Sequence, residues 1–95
     1  MSKNNSSLDE LVLYVITVDR RLLVARELLN CPILRASEIA PKSGRSLQNI
    51  SRALKEMEMK ELVACISPQN QTWKKYMLTE KGQQVLNVLK NKNLI

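Results

Sequence analysis

Apolar residues recur along this chain at two spacings. Leu8, Leu11, Val12, Val15 and Ile16 fall three and four apart, the helical period. Ser7 stands before them as an N-cap, and Asp9 and Glu10 put acids in the first turn. The pattern predicts a helix over residues 8–17, weakened at its end by the β-branched run 15–18. Asp19 is placed to cap a second helix over 20–30, with Leu22, Leu23, Ala25, Leu28 and Leu29 apolar. The two segments are close enough to fuse into one bent helix, and Pro32 ends it. Ile33-Leu34-Arg35 is long enough only for a small edge strand. A short helix follows over 36–43, where Pro41 fits only near the first turn, among backbone N–H groups that are unpaired anyway. Ser43-Gly44-Arg45 reads as a turn and Ser46 as an N-cap. The helix it opens, 47–60, carries the stripe Leu47, Ile50, Leu54 and Met57.

The spacing then changes to that of strands. Residues 62–66 form a β-type run, 67–71 carry turn chemistry, and 73–78 alternate. Together they predict a hairpin with its tip at 69–74. Thr79 caps a last helix over 80–90, with Val85, Leu86, Val88 and Leu89 apolar. The expected class is mainly α with a small β-hairpin, in the order α-α-α-β-β-α plus the short edge strand. Residues 1–7 are expected to be disordered, 8–90 to form a single domain and 91–95 a tail.

Composition narrows what such a domain does. The chain has 95 residues, no His, two Cys and two Gly. Without His there is no Ser-His-Asp or Cys-His nucleophile and no Cys₂His₂ zinc site. Two cysteines make neither a Cys₄ site nor a disulfide framework, and no Gly-rich phosphate loop exists. No enzyme, metal or cofactor is expected. The longest apolar run, 11–16, falls far short of the ~20 residues that span a bilayer. The N-terminus lacks the apolar core of a signal peptide. A cytoplasmic protein with no membrane partner is expected.

Charge changes the picture further. Residues 1–41 carry five bases and five acids; residues 42–95 carry ten bases and four acids, so the whole net charge of +6 lies in the second half. Residues 41–55 and 62–79 contain no acid at all. A patch built from both would suit phosphates, although positive charge also serves solubility alone.

Residues 36–58 are two helices joined by a tight turn, the pattern of a helix-turn-helix, and the following hairpin stands where a wing would. The chain here resembles the small winged helix-turn-helix transcriptional regulators of archaeal type, similar to the ArsR and MarR groups. The resemblance lies in Ser37-Glu38-Ile39-Ala40, in residues 46–58, in Glu61-Leu62-Val63 and in Tyr76-Met77-Leu78-Thr79-Glu80-Lys81-Gly82. The chain departs from the pattern at Arg45, where such regulators have an apolar residue, at Pro41, and at Glu61, where they commonly have Gly.

The resemblance implies a sequence-specific regulator of double-stranded DNA, with residues 47–60 in the major groove and 67–75 on the backbone or minor groove. It puts Gln48, Asn49 and Arg52 at base-reading or backbone positions. Arg45, Ser46 and Lys55 also lie off the core stripe, the Gln, Asn and Arg types being those that pair bidentately with adenine and guanine. On a bland reading these are solvated residues of a surface helix. In the wing, Gln71, Thr72, Lys74 and Lys75 are the candidates; alternation puts the two lysines on opposite faces, and Lys at an edge strand also protects against aggregation. Trp73 either lies on the backbone or packs under the hairpin. Cys31 and Cys65 read as small apolar residues, or as a redox pair if their strands are neighbours. Arg20 and Arg21 either reach phosphate or pair with Glu10 and Asp19.

The apolar faces of the terminal helices (Leu8, Leu11, Val12 and Val15; Val85, Leu86 and Leu89) look too large for one small core. They are the candidates for homodimerisation, which would suit a palindromic site. No effector pocket is legible. A winged helix used as a protein–protein module is the alternative.

Overall fold

The structure, a computed structural model, describes residues 7–66 and 74–95. The elements in order are α1 (Leu8–Ile16), α2 (Asp19–Asn30), β1 (Ile33–Arg35), α3 (Ala36–Ser43), α4 (Leu47–Met59), β2 (Val63–Cys65), β3 (Lys75–Leu78) and α5 (Glu80–Asn91). Together they form a winged helix: mostly helical, with one three-stranded antiparallel sheet of order β1-β3-β2. Ile33 faces Met77 across one ladder, and Ala64 faces Met77 across the other.

The caps that local sequence dictates are in place. The Ser7 hydroxyl accepts the Glu10 N–H at 3.1 Å while the Glu10 carboxylate accepts the Ser7 N–H at 3.0 Å, a reciprocal box that satisfies two orphan donors. Ser46 accepts the Asn49 N–H at the start of α4, and Thr79 accepts the Gly82 N–H at the start of α5. Gly44, at φ 72°, ends α3 in the left-handed region.

Other expectations are corrected. Val18, not Asp19, occupies the cap of α2, and no side chain caps that helix, because Val18 carries no acceptor; Asp19 is the first helical residue and pairs with Arg45. α1 and α2 stay separate helices. Pro41 sits sixth in α3, beyond the first turn. The bond its missing N–H forfeits is to the carbonyl of Ser37, an exposed residue that water reaches. Leu47 is 52% exposed, and Ala53 replaces it in a core stripe of Ile50, Ala53, Leu54 and Met57. β3 lies between β1 and β2, so Cys31 and Cys65 are not on neighbouring strands; both are free and half-buried.

The apolar faces of the terminal helices turn inward within the single chain. Leu11, Val12 and Val15 of α1 and Val85, Leu86 and Leu89 of α5 are at most 7% exposed within the single chain, all part of one apolar cluster. The two helices pack against each other, which uses the apolar faces expected to be surplus. Of the seven dimer candidates only Leu8 is exposed. At the C-terminus the Leu94 N–H bonds the Leu89 carbonyl at 2.8 Å and Ile95 packs on the core.

One junction positions the wing. At the end of α4 the Leu62 N–H bonds the Met57 carbonyl and the Glu61 N–H bonds the Glu58 carbonyl, both at 2.9 Å. This is the helix-ending motif that needs a left-handed residue at its penultimate position, and Glu61 holds it at φ 62°. Strain there for a residue with a side chain costs ~1–3 kcal/mol. Two contacts from the start of α5 oppose it: the Thr79 hydroxyl donates to the Glu61 carbonyl at 2.5 Å, and Lys81 Nζ donates to its carboxylate at 3.1 Å. Gly82 completes the junction by letting α5 approach the Leu62 backbone. A Cβ on Gly82 would lie 2.0 Å from the Leu62 carbonyl oxygen, which itself accepts the Thr79 N–H. Gly82→Ala is therefore expected to destabilise by about 3 kcal/mol, the upper range for overpacking. Thermal unfolding checks this, with a midpoint fall of roughly 10–20 °C expected.

Candidate nucleic-acid interface

A helix turns about 100° per residue, so α4 presents four sides at once. Its core side is the stripe already described. The opposite side carries Gln48, Ser51, Arg52 and Lys55, all exposed. Their spacing of three, four and seven keeps them on one face. Arg52 and Lys55 form no ion pair among the described residues, so their charges face solvent.

One flank of α4 faces the wing. There Leu47, Ser51 and Lys55 meet Ala36 and Ser37 of α3, Arg35 of β1, and Lys74 and Tyr76 at the base of the hairpin, around a groove of about 290 Å³. Three of its eight lining residues are cations and none is an acid. The first turn of α3 adds its positive dipole end, which favours an anion. The floor is half apolar through Leu47 and Tyr76; burial pushes the Tyr76 phenol up, so it stays a neutral hydrogen-bonding group.

The two wing lysines diverge as alternation predicts. Lys74 lines this groove, whereas Lys75 lines a second hollow with Ile33, Arg35 and Glu38, Arg35 bordering both. The Glu38 carboxylate accepts the Arg35 N–H at 2.8 Å, and that backbone bond, with the Arg35 and Lys75 charges, holds its carboxyl below the usual carboxylate range. Gln71 and Thr72, with Trp73, lie outside the described residues.

The other flank faces α2. Asn49 and Glu56, seven positions apart, share it. Asn49 is half-buried, with its Oδ1 enclosed and without a partner among the described residues, so it does not stand beside Gln48 and Arg52. Arg45 pairs with Asp19. Arg20 and Arg21 pair with neither Glu10 nor Asp19: both bond Glu56, Arg20 through Nε at 3.2 Å and Nη2 at 2.6 Å, Arg21 through Nε at 3.0 Å. Arg21 also covers the Tyr14 ring at 3.7 Å and donates to the Tyr14 carbonyl, and the Tyr14 hydroxyl donates to the Glu56 carbonyl.

The structure thus gathers Gln48, Arg52 and Lys55 on one face, with Lys74 beside them and Ser46 capping the same helix. Arg45 and Asn49 fall on the α2 flank. Arg35 and Ser37 join the groove without having been singled out. The resemblance to a helix-turn-helix could have found them, since they open its first helix.

No family model and no curated protein matches the chain significantly. Solved structures do match. An antimony-specific transcriptional repressor, AntR, superposes with TM-score 0.77 at 16% identity, over 98% of this chain and 80% of that one. A MarR-family transcription regulator superposes with TM-score 0.73 at 21% identity, over 92% and 58%. The transcriptional repressor CouR, solved on a 23-mer DNA duplex, gives TM-score 0.67 at 25% identity, over 88% and 63%. This chain therefore spans about three-fifths of the length of the last two. Its winged helix is the fold of these structures.

Glu56 makes the flank sensitive to acid. Hydrogen bonds from Arg20, then Arg21, hold its carboxyl below the ordinary value of 4.5 against the opposing effect of burial. A carboxyl depressed in the folded state adds stability that is present above its unfolded value and lost as pH falls through the folded one. Wild-type stability is expected to decline below about pH 4.5 more steeply than that of Glu56→Gln. Urea unfolding across pH 3 to 7 checks this; parallel acid limbs would contradict it.

Proposed function

We propose that this protein is a double-stranded DNA-binding transcriptional regulator and not an enzyme. α4 enters the major groove with Gln48, Arg52 and Lys55 toward base edges and phosphates. The α3 start, Arg35 and Lys74 hold the adjoining backbone, and the hairpin follows it. One observation carries this reading: the exposed basic face of α4 runs without an acid into the cation-lined groove at the wing. The same fold carries a DNA duplex in CouR, which supports it. Arg45 and Asn49 take no base-reading role in this arrangement.

Two copies binding two half-sites would suit such a fold. With the inner faces of α1 and α5 consumed, a two-fold contact would use what remains exposed there, Leu8, Leu13 and Leu94. The archaeal type of the resemblance rests on sequence motifs alone. A cytoplasmic location fits a DNA reader, and no helix among the described residues is long and apolar enough to cross a membrane.

Selection of duplexes from a random pool at two salt concentrations tests the reading. Enrichment of a two-fold symmetric site, with affinity falling steeply with salt, is expected. Arg52→Ala should then lower discrimination by roughly 1–3 kcal/mol, and Lys74→Ala should weaken all duplexes alike and flatten the salt slope by about one unit. No enrichment, or unchanged discrimination in Arg52→Ala, would contradict it.

A further inference from the structure

Three consecutive residues in the first turn of α2 hold α4 along its flank. Asp19 takes Arg45, just before the α4 cap. Arg20 and Arg21 take Glu56, ten residues into α4. The attachments are eleven residues apart, one just before the helix and the other in its third turn. They therefore resist both sliding of α4 along its axis and rotation about it. Apolar packing of the core stripe alone is less directional.

The Glu56 end is the firmer of the two. One carboxylate receives three N–H bonds from two guanidiniums, whose side chains are 24% and 13% exposed. Charge-assisted bonds of this fork geometry are the directional ones. Tyr14 adds α1 to the same point, through its ring under Arg21 and its hydroxyl on the Glu56 carbonyl.

We propose that Asp19, Arg20, Arg21 and Glu56 are positioning residues for sequence discrimination: a bracket that sets the azimuth and depth of α4 without touching DNA. The proposal rests on the DNA-binding reading above. It gives Arg20 and Arg21, which a charge map would assign to phosphate, a different task. A small rotation of α4 would leave phosphate attraction nearly intact, because that attraction is long-ranged and undirected. It would misplace Gln48 and Arg52, whose base contacts need bidentate geometry. Loss of the bracket should therefore reduce specificity and spare non-specific affinity.

The test compares affinity for the duplex that wild-type protein enriches with affinity for random duplexes of equal length, over a salt series. The variants are Arg20→Gln, Glu56→Gln, their double, and the milder Tyr14→Phe. Thermal unfolding is recorded for each, and binding is measured well below its midpoint. Each single charge variant is expected to lose about tenfold in the enriched-to-random ratio. The double should lose no more than Glu56→Gln alone, since that change already removes the Arg20 contact. The salt slope of Arg20→Gln should stay at the wild-type value. Should a charge variant fail to fold, Tyr14→Phe carries the test, with about a threefold loss in ratio expected.

Arg20→Gln weakening both duplexes equally, with a salt slope smaller by about one unit, would make Arg20 a phosphate contact and overturn the bracket. So would additive losses in the double, or ratios unchanged in Glu56→Gln and Tyr14→Phe. A wild-type protein that enriches no duplex overturns the DNA reading and the bracket together. One that does, with variants that keep its ratio, overturns the bracket alone.

Discussion

The arrangement depends on the complete burial of one stripe of α4. Ile50, Ala53, Leu54 and Met57 have no exposed surface. Burial of this kind is worth about 1.5–3 kcal/mol for each large side chain, on a scale where a domain's net stability is only 5–15 kcal/mol. A helix with one side so anchored has its remaining sides fixed by the helical period. One faces α2, one faces the wing and one faces solvent. The side toward solvent carries Gln48, Arg52 and Lys55. Its position over the groove follows from the core, not from any preference of its own.

The second constraint is the junction after α4. Chain direction must reverse from helix into β2 within a few residues, and Glu61 does so in a conformation that suits Gly. Thr79 and Lys81 hold that residue from the start of α5, and Gly82 lets α5 close on Leu62. The hairpin is thus fixed at both its ends by one set of contacts, which places Lys74 against α4 and turns Lys75 away. Folding energetics and the geometry of the basic groove meet at these four residues.

Much of this was legible in local pattern. Ser46, Thr79 and the period-3.6 stripes marked the helix starts and the buried faces, because capping and amphipathicity act within one or two turns. What was not legible depends on partners distant in sequence. Leu47 has core spacing but falls at the edge of the stripe, next to the groove. Asp19 is a good cap by type, yet the helix starts on it, one position late for a cap, and it pairs with Arg45 from 26 positions away. Arg20 and Arg21 had acids nearby in sequence and bonded Glu56 instead, 36 and 35 positions on. The faces of α1 and α5 are surplus only when each helix is taken alone, whereas each is the other's cover. Asn49 differs from its neighbour Gln48 by a single 100° step, enough to move it from the solvent side to the α2 flank.

In the proposed reading, α4 and the base of the hairpin form one continuous DNA-facing surface. Backbone amide shifts on titration with the enriched duplex test it most directly. The largest changes are expected on residues 46–55, on Ser37 and on Lys74, with α5 and the inner face of α1 nearly silent. Changes concentrated on α1 and α5, or spread evenly over the molecule, would contradict it.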